Sequence, residues 1–204
     1  YKISVEYKEV VTTVCGKDSH GFIVALIAFA KMCEKSEKHE HEAVDIYEEI
    51  IKKTTTTKTT TTVVTETTVH TIKKRLSKLY VTIITSGRET KKIPLDRAIL
   101  ISIETYEHLK LTLGCWHEET LRQLRDVVIL YHKCNTKETH AKMIKLLDVS
   151  VIEIITTLTV TTTLFNAAIS LASIYVSVNL TKQGHELLPA KACNQVLLAC
   201  AAQQ

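Results

Sequence analysis

Histidine and cysteine are the residue types in this chain that allow metal binding. His39 and His41 alternate in "HEH", and alternate side chains on a helix point about 200° apart, so they do not share an ion. His132 and His140 flank Cys134 at a predicted helix turn. Solvated polar side chains at a turn explain this group better than a partial metal site. The sequence therefore predicts no metal and no cofactor.

Catalytic nucleophiles are equally sparse. The stretch "WHEET" resembles the start of a zinc-protease helix, but position 121, where that motif requires a second histidine, is leucine. Cys115 lies close to His117, yet near neighbours on a helix do not face each other. The chain has no G-x-S-x-G motif, and its five glycines are too few for a phosphate-binding loop. We therefore expect no enzyme activity.

Composition predicts long helices. The chain has 204 residues, 45% of them hydrophobic, which is enough for a substantial core and argues against global disorder. Five glycines and two prolines cannot supply the frequent turns of a β-sandwich or β-barrel. The longest apolar run, "FIVALIAFA", is too short to cross a bilayer, so no membrane segment is expected.

Apolar spacing predicts antiparallel helix pairs. Between Cys115 and Tyr131 the apolar residues fall on one helical face, and Asn135 with Glu138 predicts a capping box that starts the next helix. In the first pair the predicted buried residues are Ala43, Ile46, Tyr47 and Ile50. In the second they are Leu76, Leu79, Tyr80 and Ile83. In the third they are Leu121, Leu124, Val127, Val128 and Tyr131 on the first helix, and Ala141, Ile144, Leu147 and Val151 on the second.

The pairs form a repeat. Cys33, Tyr80, Tyr131 and Tyr175 occupy one position, 47, 51 and 44 residues apart. The stretch "HEETLRQLRDVVILY" resembles the H-x-x-T-L-x-x-L…L-Y opening of the kinesin-light-chain-like variant of the tetratricopeptide repeat. Similar repeats occur in large fungal proteins. The predicted organisation is an N-terminal segment (1–18), a repeat domain (19–188) with units 19–53, 69–114, 117–157 and 163–188, and a capping helix or tail (189–204).

The resemblance implies an all-α solenoid of about four antiparallel helix pairs, with a closed helical bundle as the alternative. In this family the first helix of each pair lines a concave groove. Carried onto this sequence, the groove includes Asp126 and Ile129, together with the residues that we name as the candidate site: Lys74, Arg75, Lys78, Arg122, Arg125, His132, Lys133 and Asn166.

A basic groove suits an acidic partner. Cations in it would form charge-assisted hydrogen bonds with an acidic peptide segment, which makes the chain a protein-interaction scaffold. A solvated charged face is the simpler reading of the same residues. The net charge is +4 and only five of 26 basic residues are arginine, which does not suggest nucleic-acid binding. The alternative function is a structural subunit that forms homo-oligomers through helix faces and the apolar tail.

The chain is unusually rich in threonine, mainly between Thr54 and Thr62, with a second cluster from Thr156 to Thr163. Both follow the second helix of a predicted pair, so we interpret them as solvated connectors between repeats. The six cysteines are scattered, without the spacing of a disulfide scaffold, and no signal peptide is visible. A reducing, cytoplasmic location is expected.

Overall fold

The computed structural model describes residues 2–16, 19–56, 65–87 and 93–157. These ranges contain helices only, which confirms the all-α prediction for this part of the chain. Predictions for Asn166, the unit 163–188, the second threonine cluster beyond Thr157 and the tail 189–204 lie outside the described residues. The helices are α1 (Lys2–Cys15), α2 (His20–Cys33), α3 (Glu40–Thr56), α4 (Glu66–Thr85), α5 (Leu95–Leu113), α6 (Glu118–Cys134) and α7 (Lys137–Thr157).

The chain divides into two compact units, Tyr1–Ile93 and Pro94–Gln204. In the first unit α2 packs against α1 and α3, and α3 also packs against α4. In the second unit α6 packs against both α5 and α7. The division falls inside the predicted repeat 69–114, whose two helices therefore belong to different units. Among the described helices, none combines the length and apolar character that crossing a membrane requires.

Predicted core faces are buried on three helices. Every residue expected to face inward on α3, α4 and α6 is buried. Helix α7 differs, because Ala141 is exposed while Met143, Leu147 and Ser150 are buried. Alanine has little apolar surface to bury, and turning the helix toward Met143 removes more apolar area from water. The α7 prediction was therefore wrong in rotation at its N-terminal end, although Leu147 is correct.

The cap between α6 and α7 also differs from the prediction. Asn135 ends α6 in the left-handed conformation, with φ of 47°, which asparagine tolerates better than most residues. Thr136 caps α7 instead, since its hydroxyl accepts the backbone N–H of Thr139 at 3.1 Å. Glu138 pairs with Lys142 at 2.7 Å. The predicted capping box at Asn135 is thus replaced by a threonine cap one residue later.

The first threonine run begins within a helix. Helix α3 continues to Thr56, and the Thr54 hydroxyl donates to the carbonyl of Ile51 at 2.8 Å. At the other end Thr65 caps α4, its side-chain oxygen accepting the N–H of Thr68 at 3.3 Å. Helix α3 therefore extends further into the threonine-rich stretch than the sequence suggested. Local hydroxyl-to-backbone hydrogen bonds make threonine compatible with helix ends.

Gly114 provides a test of the α5–α6 junction. It follows α5 with φ of 93° and ψ of 157°, a region that side-chain-bearing residues rarely adopt. A Cβ there would lie 3.4 Å from Nε1 of Trp116. We expect Gly114→Ala to lower the unfolding free energy of the second unit by about 2 kcal/mol. Urea unfolding followed by fluorescence of Trp116, the single tryptophan, measures this.

Gly21→Ala is the matched control for Gly114→Ala. Gly21 lies in α2, and its added Cβ would make ordinary contacts, the nearest at 3.6 Å. Alanine is favoured over glycine inside a helix, so this substitution should not lower the urea midpoint of the first unit. Circular dichroism measures that midpoint, because Trp116 lies in the second unit. An unchanged urea midpoint for Gly114→Ala would contradict the strain argument.

Candidate protein-binding surface

Helix α4 carries the first three candidate residues. Lys74 and Lys78 are exposed and lie one turn apart. Thr71 and Thr82 continue the same exposed stripe before and after them. Arg75 lies at the edge of this stripe, with its side chain 40% exposed. We call Lys74, Arg75 and Lys78 the α4 basic surface.

Arg75 is held by a network that joins three helices. Its Nη1 donates to Oε2 of Glu34 at 3.0 Å, and Glu34 is the residue that caps the C-terminus of α2. The hydroxyl of Tyr47, on α3, donates to Oε1 of the same carboxylate at 2.5 Å. Glu34 therefore receives one hydrogen bond from α3 and one from α4. This arrangement fixes the direction of the Arg75 side chain.

The network keeps Tyr47 neutral. Burial raises the pKa of the Tyr47 phenol well above its ordinary value, and the hydrogen bond to Glu34 and its negative charge raise that pKa further. Arg75 opposes the increase in part. The phenol consequently remains a donor to Glu34 in alkaline solution, where an ordinary tyrosine would lose its proton. A guanidinium has five N–H groups, and the bond to Glu34 uses one of them.

A second contact fixes the rotation of α4. The hydroxyl of Tyr80 donates to Oε1 of Glu48, on α3, at 2.6 Å. Tyr80 and Arg75 lie more than one turn apart on α4, so together they attach that helix to its neighbours at two heights. Helix α4 cannot turn about its axis without breaking both contacts. Lys74 and Lys78 are therefore directed to solvent by tertiary packing.

Helix α6 carries the second group of candidates. Arg122, Arg125 and Lys133 are exposed, while His132 is half-buried. The arginines have acidic neighbours. Arg122 pairs with Glu118 at 2.6 Å, and Nη2 of Arg125 lies 3.6 Å from Oδ1 of Asp126. The predicted groove position Asp126 is itself buried, because it points toward the packed side of α6.

The orientation of α6 is set by polar contacts within the second unit. The buried Gln123 donates from Nε2 to the carbonyl of Ser102 on α5 at 3.3 Å. On the neighbouring helices, Tyr106 and Ser150 share a hydrogen bond of 2.9 Å between α5 and α7. These contacts hold the three helices in register. The α6 residues thus form a surface of the second unit.

His117 makes a structural contact, and Cys33 and Cys134 lie in surroundings that disfavour the thiolate. Nδ1 of His117 accepts the backbone N–H of Glu119 at 3.2 Å and so caps α6. Burial, with Glu42 nearby, raises the pKa of the Cys33 thiol, and burial with Asp96 raises that of Cys134. Both shifts reduce the thiolate fraction. Within the described ranges, three or more metal-ligating side chains do not come together.

The Glu34–Tyr47–Arg75 network was not predicted from the sequence. Glu34 and Arg75 are 41 residues apart, and no local pattern links them. Comparisons with protein-family models, with curated proteins and with solved structures found no match. The interpretation of function therefore depends on the chain's own residues and their geometry.

Proposed function

We propose that this chain is a non-catalytic protein-interaction scaffold, an α-solenoid of helix pairs that binds an acidic segment of a partner protein. The observation that carries the proposal is the α4 basic surface. Two exposed lysines lie one turn apart beside an arginine held by Glu34. A closed bundle of the same pairs is the alternative arrangement, and it would use the same surface.

The spacing of the lysines suggests how the segment binds. Lys74 and Lys78 are separated by about 6 Å along the helix axis, from the rise of 1.5 Å per residue. In an extended peptide, alternate residues are about 7 Å apart. A segment with acidic residues at alternate positions would place successive carboxylates opposite the two lysines. Charge-assisted hydrogen bonds between carboxylates and ammonium groups then provide affinity that falls with added salt.

The test uses a defined probe. A fluorescein-labelled peptide with glutamate at alternate positions is titrated with the intact chain, and fluorescence anisotropy gives the dissociation constant. We expect Lys74→Glu/Lys78→Glu to weaken binding about tenfold or more, because attraction is replaced by repulsion at both positions. Binding of the unchanged chain should also weaken as salt increases. The same peptide with glutamine in place of glutamate should bind poorly.

A matched variant separates a specific surface from net charge. Lys137→Glu/Lys145→Glu reverses two exposed lysines on α7 and changes the net charge equally. It should leave the peptide affinity within about twofold. Equal losses in both variants, or no binding by the unchanged chain, would contradict the proposal. Arg122→Glu/Arg125→Glu tests whether the α6 surface contributes as well.

A further inference from the structure

Helix α2 is apolar on nearly all sides. Its buried residues include Leu26 and Ala30, which face the core of the first unit. The opposite side is also apolar, with Val24 49% and Met32 68% exposed and Ala28 exposed between them. These three residues are spaced four apart and form one stripe. A helix that is apolar all round normally has partners on more than one side.

Helix α1 adds a second apolar stripe. The ring of Tyr7 stacks on Phe29 of α2 with centroids 4.3 Å apart, so this side of α1 faces α2. Lys8 forms a salt bridge with Glu49 of α3, so the flank of α1 that carries Lys8 faces α3. Val10 lies on the opposite flank of α1, and Val14, one turn further along, lies about 120° around the helix from Lys8. The two valines are 62% and 78% exposed. They are therefore turned away from α3.

The two stripes lie side by side. On α2, Val24, Ala28 and Met32 are opposite the residues buried against α3, and on α1 Val10 is opposite Lys8, with Val14 between it and the side that carries Tyr7. Both stripes consequently face the same way, on the side of the α1–α2 pair remote from α3. We call this surface the outer face; it consists of Val10, Val14, Val24, Ala28 and Met32.

The outer face has edges of opposite charge. Glu6 precedes Val10 by one turn on α1 and lies on the edge remote from α2, and Lys31 lies on the edge of α2 remote from α1. The stacking of Tyr7 on Phe29 sets the antiparallel register of the two helices. In that register Glu6 and Lys31 are at nearly the same height. Within one chain the whole outer face separates them.

We propose that the outer face binds a second copy of this chain about a two-fold axis parallel to α1 and α2. This operation places α1 of one copy antiparallel over α2 of the other. It also brings Glu6 of each copy to the edge that carries Lys31 of the other, at the same height. The charges that are separated within a chain thus become two equivalent pairs across the interface, as an isologous contact requires.

The apolar residues also alternate across this interface. In the register set by Tyr7 and Phe29, Val24 is level with the gap between Val10 and Val14, while Ala28 is level with the gap between Glu6 and Val10. Side chains of one copy therefore meet spaces on the other, which is how packed helices interdigitate.

The size of the face determines the expected strength. Each helix has 14 residues and is about 21 Å long, and two adjacent helices cover about 20 Å in width. The face measures about 400 Å² in projection, and stable complexes bury roughly 800 Å² of accessible surface per partner, so this contact is a small one. The dimer should therefore be weak, with a dissociation constant above about 10 μM. This proposal does not rest on peptide binding by the α4 basic surface.

Sedimentation equilibrium of the intact chain, from about 10 to 500 μM, tests the proposal. The unchanged chain should show a reversible monomer–dimer equilibrium. Glu6→Lys and Lys31→Glu should each weaken it about fivefold or more, because each creates two like-charge contacts. The double variant Glu6→Lys/Lys31→Glu should restore it, since both pairs are re-formed with exchanged signs. A monomer throughout, or a double variant no better than the singles, overturns the proposal.

Two further measurements identify the surface. Val14→Lys should abolish association, while Leu111→Lys, at an 84% exposed position on α5, should leave it unchanged. Oxidation of the Met32 thioether should slow as protein concentration rises. Slow oxidation at every concentration would mean that the chain covers its own outer face, and rapid oxidation at every concentration would mean that nothing covers it. Either result overturns the dimer.

Discussion

Replacing Tyr106 with alanine is expected to lower the unfolding free energy of the second unit by about 4 kcal/mol. Tyr106 is 1% exposed and is among the largest fully buried side chains of the described residues. Truncation removes the aromatic ring from a packed interior and leaves a cavity between α5 and its neighbours. It also removes the 2.9 Å hydrogen bond to Ser150. Urea unfolding followed by Trp116 fluorescence measures the loss.

Tyr106→Phe separates the hydrogen bond from the ring. The Ser150 hydroxyl donates to the carbonyl of Leu146 at 2.8 Å, so its oxygen accepts from Tyr106. Phenylalanine keeps the ring and removes one buried donor, and the expected loss is about 1 kcal/mol. In a double-mutant cycle that combines Tyr106→Phe with Ser150→Ala, the coupling free energy should also be about 1 kcal/mol. An alanine variant that costs no more than the phenylalanine variant would show that the ring is not packed as described.

Alkaline pH is expected to destabilise both units. Burial raises the pKa of Tyr106 above its ordinary value, although Ser150 and Lys110 oppose the shift, and Tyr47 in the first unit is shifted the same way. An unfolded tyrosine loses its proton near pH 10, while the folded one keeps it. The unfolded state then binds fewer protons, so stability falls as pH rises. The slope approaches about 1.4 kcal/mol per pH unit only where the unfolded tyrosine is ionised and the folded one is not, so the larger shift of Tyr47 should give the wider pH window.

Phenylalanine variants isolate this effect from other groups that titrate at alkaline pH. Urea midpoints are measured between pH 8 and pH 11, by Trp116 fluorescence for the second unit and by circular dichroism for the whole chain. Tyr106→Phe should reduce the pH dependence of the urea midpoint measured by fluorescence. Tyr47→Phe should reduce the pH dependence of the midpoint measured by circular dichroism. Below pH 9 both slopes should be near zero for these groups. A pH dependence of the urea midpoint that neither substitution changes would contradict its attribution to the two tyrosines.

Which faces of the helices are buried was largely predictable from the sequence. On α3, α4 and α6 the apolar residues recur at three- and four-residue intervals, and burial follows that spacing. The aromatic repeat position also correctly placed Tyr80 and Tyr131 inside. Helix α7 was less predictable because apolar residues occur on more than one side of it. Spacing then permits several rotations, and packing against α6 selects among them.

The cap at Asn135 shows a second limit of local reasoning. Asparagine favours both the start of a helix and the left-handed residue at its end. At a junction between two helices both roles are available, so sequence alone could not choose. The hydroxyl of Thr136 supplies the N-terminal cap of α7, which leaves Asn135 to end α6.

The sequence by itself determined the helices from α2 onward and which of their residues are basic, because helix periodicity and charge are local properties of the chain. Helix α1 was predicted only as an N-terminal segment. The tertiary structure alone decided what those residues contact. Glu34 meets Tyr47 and Arg75 only after α2, α3 and α4 pack together. The same holds for the outer face, since α1 and α2 must stack through Tyr7 and Phe29 before their exposed valines share one surface. Contacts between residues distant in the chain depend on the rotation and register of packed helices, which local spacing does not specify.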